Sequence, residues 1–263
     1  ELNAAYATIA NGGTYIEPKL YTKVVDQEGN VILDNTNPVS KQVIKETTAY
    51  LLTDAMVDVV TSGTGGSVNF GNMAIAGKTG TTSDNKDAWF AGYTKHYVGI
   101  VWIGYDQPKQ LGSNGFGGTL CAPIFSKVMN PIHSGLPVKE YQMPSGVTTV
   151  TIDIKSGMLA SSLTPAEYVK TELCNASYVP KQESDVWQYV QVCAASGQQM
   201  TAACPGPAVT KLALVRHEPW VPIISEEQPQ LAELKPADAV LEANSLCEVH
   251  GHGQAVAAQN ITI

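Results

Sequence analysis

Residues 74–82 read AIAGKTGTT and run directly into residues 83–93, SDNKDAWFAGY. Small and apolar residues lead into a lysine, a glycine and three threonines, the pattern of a buried strand that ends at a cleft. Lys78 offers an ammonium, and Thr79, Thr81 and Thr82 offer hydroxyls that can hold a carboxylate. Gly80 matters for what it lacks, because a side chain there would block close approach of a substrate to the strand edge. A backbone N–H of such a strand can point at a developing oxyanion. Taken alone, the tripeptide describes a solvated strand terminus equally well, so its neighbours decide.

Working outward, Leu2, Ala5, Tyr6, Ile9 and Ala10 share one helical face, and Asn11-Gly12-Gly13 stops that helix. The helix begins at or before the first residue, which implies sequence upstream of Glu1. From Thr14 to Leu33 the pattern predicts a strand, a turn and a strand: YIEPKLYTKVVD, QEGN, then VILD, with Gly29-Asn30 supplying the reversal. Lys45–Ser62 is the clearest helix, since Leu51, Leu52, Ala55, Met56, Val59 and Val60 recur at three- and four-residue spacing. After the lysine segment come two strands, DAWFAGYT and YVGIVWIGY, separated by Lys95-His96. The second is apolar on both faces and predicts a central strand. Gly112–Gly118 reads as a glycine-rich loop, and Thr119–Ile132 as a helix with Pro123 near its first turn.

The bulk numbers exclude several classes. With 263 residues, 44% hydrophobic and 15% charged, the chain is long enough for one large or two modest domains with a core. A net charge of -8 and no basic run argue against a nucleic-acid partner. No apolar run approaches the ~18 residues of a membrane span. No signal peptide is visible, and the chain opens on Glu1 rather than Met.

The second half differs in texture. HSGLPVKEYQMPSG reads as a linker, and beyond it lies a weak internal repeat. Val150, Ile152, Ser156, Gly157 and Pro165 align with Val190, Val192, Ser196, Gly197 and Pro205, each displaced by 40 residues. Each copy predicts a strand, a Ser-Gly turn and a short extended segment. The Pro- and Glu-rich tail predicts little regular structure. Cys121 stands alone in an apolar helix start, whereas Cys174, Cys193, Cys204 and Cys247 all fall in the second half. Four cysteines in a loop-rich segment suggest one or two disulfides and an oxidising compartment, and spacing does not assign the pairs. Cys247, His250 and His252 also fit a metal-ligand pattern, but no second cluster stands at zinc spacing. A disulfide from Cys247 to Cys204, or to another late cysteine, is the favoured reading, with no metal and no cofactor expected.

The chain resembles the C-terminal part of the transpeptidase domain of class A (bifunctional) penicillin-binding proteins. K-T-G is one of the motifs of that superfamily, and the likeness extends well past it. AAYATIANGGTYIEPKLYTKVVDQEGNVI, AYLLTDAMVDVVTSGTG, AGKTGTTSDNKDAWFAGYT, YVGIVWIGYD and GGTLCAPIFSKVM follow in family order across most of residues 1–136. The resemblance implies an α/β (α+β) fold, a partial penicillin-binding or serine β-lactamase-like transpeptidase fold with an antiparallel sheet and flanking helices. It is followed by a small β-rich domain. The expected division is 1–136 for the transpeptidase portion, 137–146 for the linker and 147–263 for the extension.

The reaction implied is acyl transfer from D-Ala-D-Ala stem peptides of peptidoglycan, and β-lactams are the implied ligands. Lys78 would support the proton network, Thr79 and Thr81 would bind the terminal carboxylate, and the Thr81 N–H would serve an oxyanion hole. Gly80 would leave room for the acyl group, with Thr82 as a further hydroxyl. The family's Ser-x-x-Lys nucleophile motif and its Ser-x-Asn motif are expected upstream of Glu1. Ser67-Val68-Asn69 is out of chain order for the latter, so no nucleophile is assigned to this chain. The missing N-terminal part of the same protein is the implied partner, and an extracytoplasmic, wall-facing location with an anchor outside this chain is implied too. Two other readings stand beside this one: a non-catalytic wall-binding module, or a fragment of a serine β-lactamase or D,D-carboxypeptidase.

Overall fold

The computed structural model describes residues 1–215 and 246–250, and these divide between two compact units. One comprises Glu1–Thr148 with Leu173–Ser177, the other Thr149–Glu172 with the chain from Tyr178 onward. The Pro- and Glu-rich tail and His252 lie outside the described residues.

The first unit runs α1 (Leu2–Ala10), β1 (Thr14–Ile16), β2 (Lys23–Val25), β3 (Val31–Asp34), β4 (Ser40–Gln42) and α2 (Glu46–Thr61). It continues through β5 (Ala76–Thr81), β6 (Ala88–Tyr93), β7 (Val98–Ile103) and α3 (Gly117–Ile132). The expected single strand from Tyr15 to Asp26 is instead two short ones. β1 pairs with β4, while β2 pairs with β3. Pro18 explains the break, since it has no N–H to give a ladder.

β5, β6 and β7 form an antiparallel sheet in that order, so β6 is the middle strand and the expected central strand, β7, lies at the edge among the described residues. β6 is buried at every position but Trp89, because the sheet pairs it on both sides and α3 packs over it. Phe90 and Phe125 meet there with ring centroids 4.9 Å apart, in a core shared with Val60, Val68, Phe70, Ile75, Ala88, Cys121, Ala122 and Met129. Each fully buried aromatic ring of this kind contributes roughly 1.5–3 kcal/mol. Cys121 is part of this core and wholly buried.

Gly77, Gly92 and Gly99 stand in register across the three strands. A Cβ on Gly77 would fall 2.5 Å from Phe90, and one on Gly92 would fall 3.0 Å from Phe125. The glycine row is the floor on which the two rings lie. α3 starts at Gly117, two residues before the expected Thr119, which moves Pro123 from the first turn to the second. On the other side of the sheet, Tyr93 is fully buried and its hydroxyl meets Thr53 Oγ1 of α2 at 2.7 Å. Tyr141 donates to the Tyr93 carbonyl at 3.0 Å.

β8 (Val147–Asp153) pairs with β9 (Val169–Asn175), and in the second unit β10 (Trp187–Cys193) pairs antiparallel with β11 (Ala208–Leu214). The internal repeat is structural. Ile152 bridges Leu159 in the first copy and Val192 bridges Gln199 in the second, across turns whose glycines, Gly157 and Gly197, have φ of 70° and 71°. The positive φ is why both copies place glycine there.

Candidate active site: an open strand edge

Strand β5 carries AGKTGT, with Lys78 and Thr81 exposed. Its pairing fixes which backbone groups are available. Thr82 N–H donates to the Asp87 carbonyl at 3.1 Å, and Thr82 stands opposite Asp87 one step past the Thr81–Ala88 pair. In an antiparallel ladder bonded pairs alternate, so Gly80 and Lys78 also turn their backbone groups towards β6. The N–H and C=O groups of Thr79 and Thr81 then face the open edge, where no strand pairs with β5 among the described residues.

Side chains alternate as well. Thr79 Oγ1 meets Thr64 Oγ1 at 2.7 Å, and Thr81 Oγ1 accepts from the Gly117 N–H at 3.2 Å. Both threonines therefore lie with the Gly63-Thr64-Gly65 loop and the start of α3. Lys78 leaves from the opposite face and curls back over the edge, its ammonium donating to the Thr79 carbonyl at 2.8 Å. Lys78, Thr79 and Thr81 thus meet at the strand's edge rather than on one face.

The helix reaches β5 only because Gly117 is a glycine. A Cβ there would sit 2.1 Å from the Trp89 carbonyl and 2.7 Å from that of Gly80. A Cβ added to Gly118 would likewise collide with the Thr64 carbonyl. Thr64, Gly117 and Gly118 complete the wall, and the sequence reading gave them no role in it. The small residues around Thr64 and the double glycine opening α3 were the available signal.

Thr82 does not belong to the open edge. Its hydroxyl accepts from the Asp87 N–H at 2.9 Å, within the β5–β6 hairpin loop. The Asp87 carboxylate in turn accepts from Trp102 Nε1 at 3.0 Å, and Trp102 packs on Trp89 with centroids 5.9 Å apart. Asp87 and Trp89 thus act in holding the hairpin.

That loop also contains something the sequence reading passed over: Ser83-Asp84-Asn85-Lys86 satisfies the Ser-x-x-Lys spacing literally, and its first three residues satisfy Ser-x-Asn. The geometry does not suit a nucleophile and its base. A working pair needs helical stacking at i and i+3, whereas Asp84 and Asn85 adopt φ of 65° and 53°. The Lys86 ammonium is taken by Asp84 at 3.2 Å. Ser67-Val68-Asn69 likewise serves packing: Ser67 donates to the Gly118 carbonyl at 3.0 Å, and Val68 is in the core. A groove of about 740 Å³ borders α1 and is lined by Ala4, Ala7, Ile16, Tyr21 and Val98, with no residue of β5 on its wall.

In the second unit Cys204 and Cys247 do come together, but as free thiols and not as a pair. Cys193, Cys204, Cys247 and His250 present ligand atoms all within 4.8 Å of one another. The Ser196 hydroxyl, with lesser help from backbone groups, lowers the Cys247 thiol from its ordinary value to about 7. Backbone groups of Ser196 and Ala195 lower that of Cys193.

A family model described as the penicillin-binding protein transpeptidase domain matches residues 1–130, and one described as the penicillin-binding protein 1A C-terminal domain matches residues 143–189. The chain belongs to the penicillin-binding protein family. Penicillin-binding protein 1A of Clostridium perfringens is 40% identical over 162 residues, covering 62% of this chain and 19% of that protein. Penicillin-binding protein 1A of Clostridium botulinum is 34% identical over 231 residues, covering 85% of this chain and 27% of that protein. The chain therefore spans about a fifth to a quarter of the length of these relatives. The crystal structure of penicillin-binding protein 1A from Haemophilus influenzae shares the fold at 23% identity and a TM-score of 0.59, over 70% of this chain and 32% of that one. The penicillin-binding protein PonA1 from Mycobacterium tuberculosis matches at 30% identity and a TM-score of 0.51, over 55% of this chain and 40% of that one. Among the described residues no helix is long and apolar enough to cross a membrane.

Proposed function

We propose that β5 is the substrate-facing wall of a peptidoglycan D,D-transpeptidase site, completed by a serine nucleophile that another part of the complete protein supplies. The observation that carries this reading is the open edge of β5, with the Thr81 N–H directed outward beside the Thr79 and Thr81 hydroxyls and the Lys78 ammonium. An extended D-Ala-D-Ala peptide can add to such an edge as a strand, which orients its scissile carbonyl.

In the reaction the serine oxygen bonds to that carbonyl carbon and D-Ala leaves with a proton. The acyl group then passes to an amine of a neighbouring stem peptide, which displaces the serine. This chain's share is to bind and polarise. The Thr81 N–H donates to the oxyanion, the threonine hydroxyls hold the terminal carboxylate, and Lys78 supplies positive charge for the proton network. Gly80 keeps the edge clear for the acyl group. A β-lactam, which carries a carboxylate and a reactive amide, is read by the same groups. Residues 1–136 supply this wall, 137–146 the connection and 147–263 the extension. The setting is extracytoplasmic, facing the wall, with the membrane anchor in the remainder of the protein.

Fluorescent penicillin tests this. A complete protein carrying this chain should be labelled covalently, and Lys78→Ala should cut the labelling rate by ~100-fold or more. The 263-residue chain alone should stay unlabelled. Labelling of the isolated chain that Ser83→Ala abolishes would place the nucleophile in the hairpin and sink the proposal. Unlabelled complete protein would sink it too.

A further inference from the structure

The two copies of the repeat share a framework and differ in what fills it. Asp153 N–H donates to the Met158 carbonyl and Gly157 N–H to the Asp153 carbonyl, at 2.9 and 2.8 Å. In the second copy, Cys193 N–H donates to Gln198 and Gly197 N–H to Cys193 at the same two distances. Thr164 N–H reaches back to Ser161 as Cys204 N–H does to Thr201. Ser184 N–H donates to Leu159, and Cys247 N–H to Gln199, beside the parallel bridges Leu159–Glu183 and Gln199–Leu246. Asp153, Thr164 and Ser184 thus correspond to Cys193, Cys204 and Cys247, and Trp187, three residues after Ser184, corresponds to His250.

Those four positions converge on a buried point in each copy. In the first, Asp153 is completely buried and its Oδ2 accepts from Thr164 Oγ1 at 3.2 Å, Ser184 Oγ at 2.6 Å and Trp187 Nε1 at 2.7 Å. The carboxylate is the hub and the other three donate to it. In the second copy every member of that network is replaced by a metal-ligating residue. Cys193, Cys204 and Cys247 are buried, and His250 Nδ1 lies 3.4 Å from both Cys193 Sγ and Cys247 Sγ. Zinc bonds of about 2.3 Å to sulfur and about 2.0 Å to nitrogen give a tetrahedral S···N edge of about 3.5 Å. Thr201, buried beside them, directs its N–H at Cys204 Sγ at 3.4 Å, the kind of outer hydrogen bond that orients a thiolate ligand.

We propose that Cys193, Cys204, Cys247 and His250 bind one zinc ion, which takes the place in the second copy of the Asp153 hydrogen-bond hub in the first. Three thiols and one imidazole select zinc over magnesium or calcium, which take oxygen ligands. Four protein ligands leave no open position, so the role is structural rather than catalytic. Binding converts the three thiols to thiolates and releases their protons. The packing is consistent with such a need, since among the described residues the buried apolar cluster on β10 and β11 is Val190, Val192 and Ala213 with Val215 beside them. So small a core is held by a staple more readily than by burial.

The test uses the 263-residue chain purified under reducing conditions without chelator and reconstituted with zinc, then with cobalt. Elemental analysis should find about one zinc per chain, and cobalt should show tetrahedral ligand-field bands with thiolate charge transfer. Cys204→Ser should weaken zinc binding by at least ~tenfold. The fourfold exchange Cys193→Asp, Cys204→Thr, Cys247→Ser and His250→Trp should bind no zinc yet keep the far-ultraviolet dichroism, because it rebuilds the first copy's hub. No zinc after reconstitution, zinc retained in full by the fourfold variant, or a Cys204–Cys247 disulfide in the chain purified without reductant would each overturn the proposal.

Discussion

Gly117 donates its N–H to Thr81 Oγ1 at 3.2 Å and has no room for a side chain, so the tip of β5 and the first turn of α3 are one structural unit. A methyl group on Gly117 would meet two backbone carbonyls, which cannot rotate away as a side chain can. Gly117→Ala should therefore destabilise the chain by about 3 kcal/mol or more, at the upper end for an overpacked site. Gly66→Ala is the control, because its nearest neighbour is 3.5 Å from the added atom. Thermal unfolding of both variants would check this, and equal midpoints would contradict the account.

Thr81 holds the Gly117 N–H and has a proposed role at the substrate, and substitution can part the two. Thr81→Ser keeps both the hydroxyl and the N–H, whereas Thr81→Val removes the hydroxyl and leaves the Gly117 N–H without its partner. The loss of that partner should cost roughly 1–2 kcal/mol of stability. In a complete protein, penicillin acylation should fall ~10- to 100-fold for Val and much less for Ser, since the oxyanion donor is backbone and survives in both. Stopped-flow acylation rates distinguish the two.

How much of this was legible in the sequence depends on distance along the chain. Lys78, Thr79, Gly80 and Thr81 are adjacent, so their strand placement could be read from alternation alone. Their partners could not. Thr64 and Thr79 are 15 residues apart, and Gly117 and Thr81 are 36 apart, linked by contacts that only the tertiary fold creates. Thr82 shows the converse: its hydroxyl looks available in the sequence, but in the fold it bonds Asp87 in the hairpin turn. β7 reads as central because it is apolar on both faces, yet pairing order is not encoded in one strand's composition. The grouping of the late cysteines with His250 is hidden from the sequence for the same reason. Cys247 and His250 are three residues apart, but Cys193 and His250 are 57 apart, and only the repeat's shared framework joins them.

Burial raises the Tyr93 hydroxyl from 10.0 to about 12, against a smaller lowering by its bond to Thr53. The folded state therefore holds the proton more tightly than the unfolded chain does. The associated stabilisation is complete below pH ~10 and is lost as pH rises towards 12, of order 2–3 kcal/mol in all. Burial raises Tyr141 in the same direction. Denaturant unfolding should show a flat plateau up to pH ~9 and a fall above ~10. Tyr93→Phe should be less stable at neutral pH, having lost the Thr53 bond, and should fall less steeply with alkali. A steeper fall in the variant would refute the assignment.

The last prediction separates the two copies of the repeat. Asp153 Oδ2 accepts from three donors in its buried hub, so Asp153→Ala takes that acceptor from Ser184 and Trp187 together, while Thr164 keeps its contacts with Ser161. Each unpaired buried donor costs about 1–3 kcal/mol, and shared relaxation keeps the sum near ~4 kcal/mol. Asp153→Asn keeps the shape and one carbonyl acceptor, and should cost less. Neither loss should depend on metal, because no thiol or imidazole takes part in the first copy's hub. A strong zinc chelator should instead destabilise the second copy, read as faster amide exchange in β10 and β11. The chelator should have no such effect on the fourfold exchange variant. If Asp153→Ala and chelation gave the same exchange pattern, the two hubs would not be the separate, substitutable devices that their geometry describes.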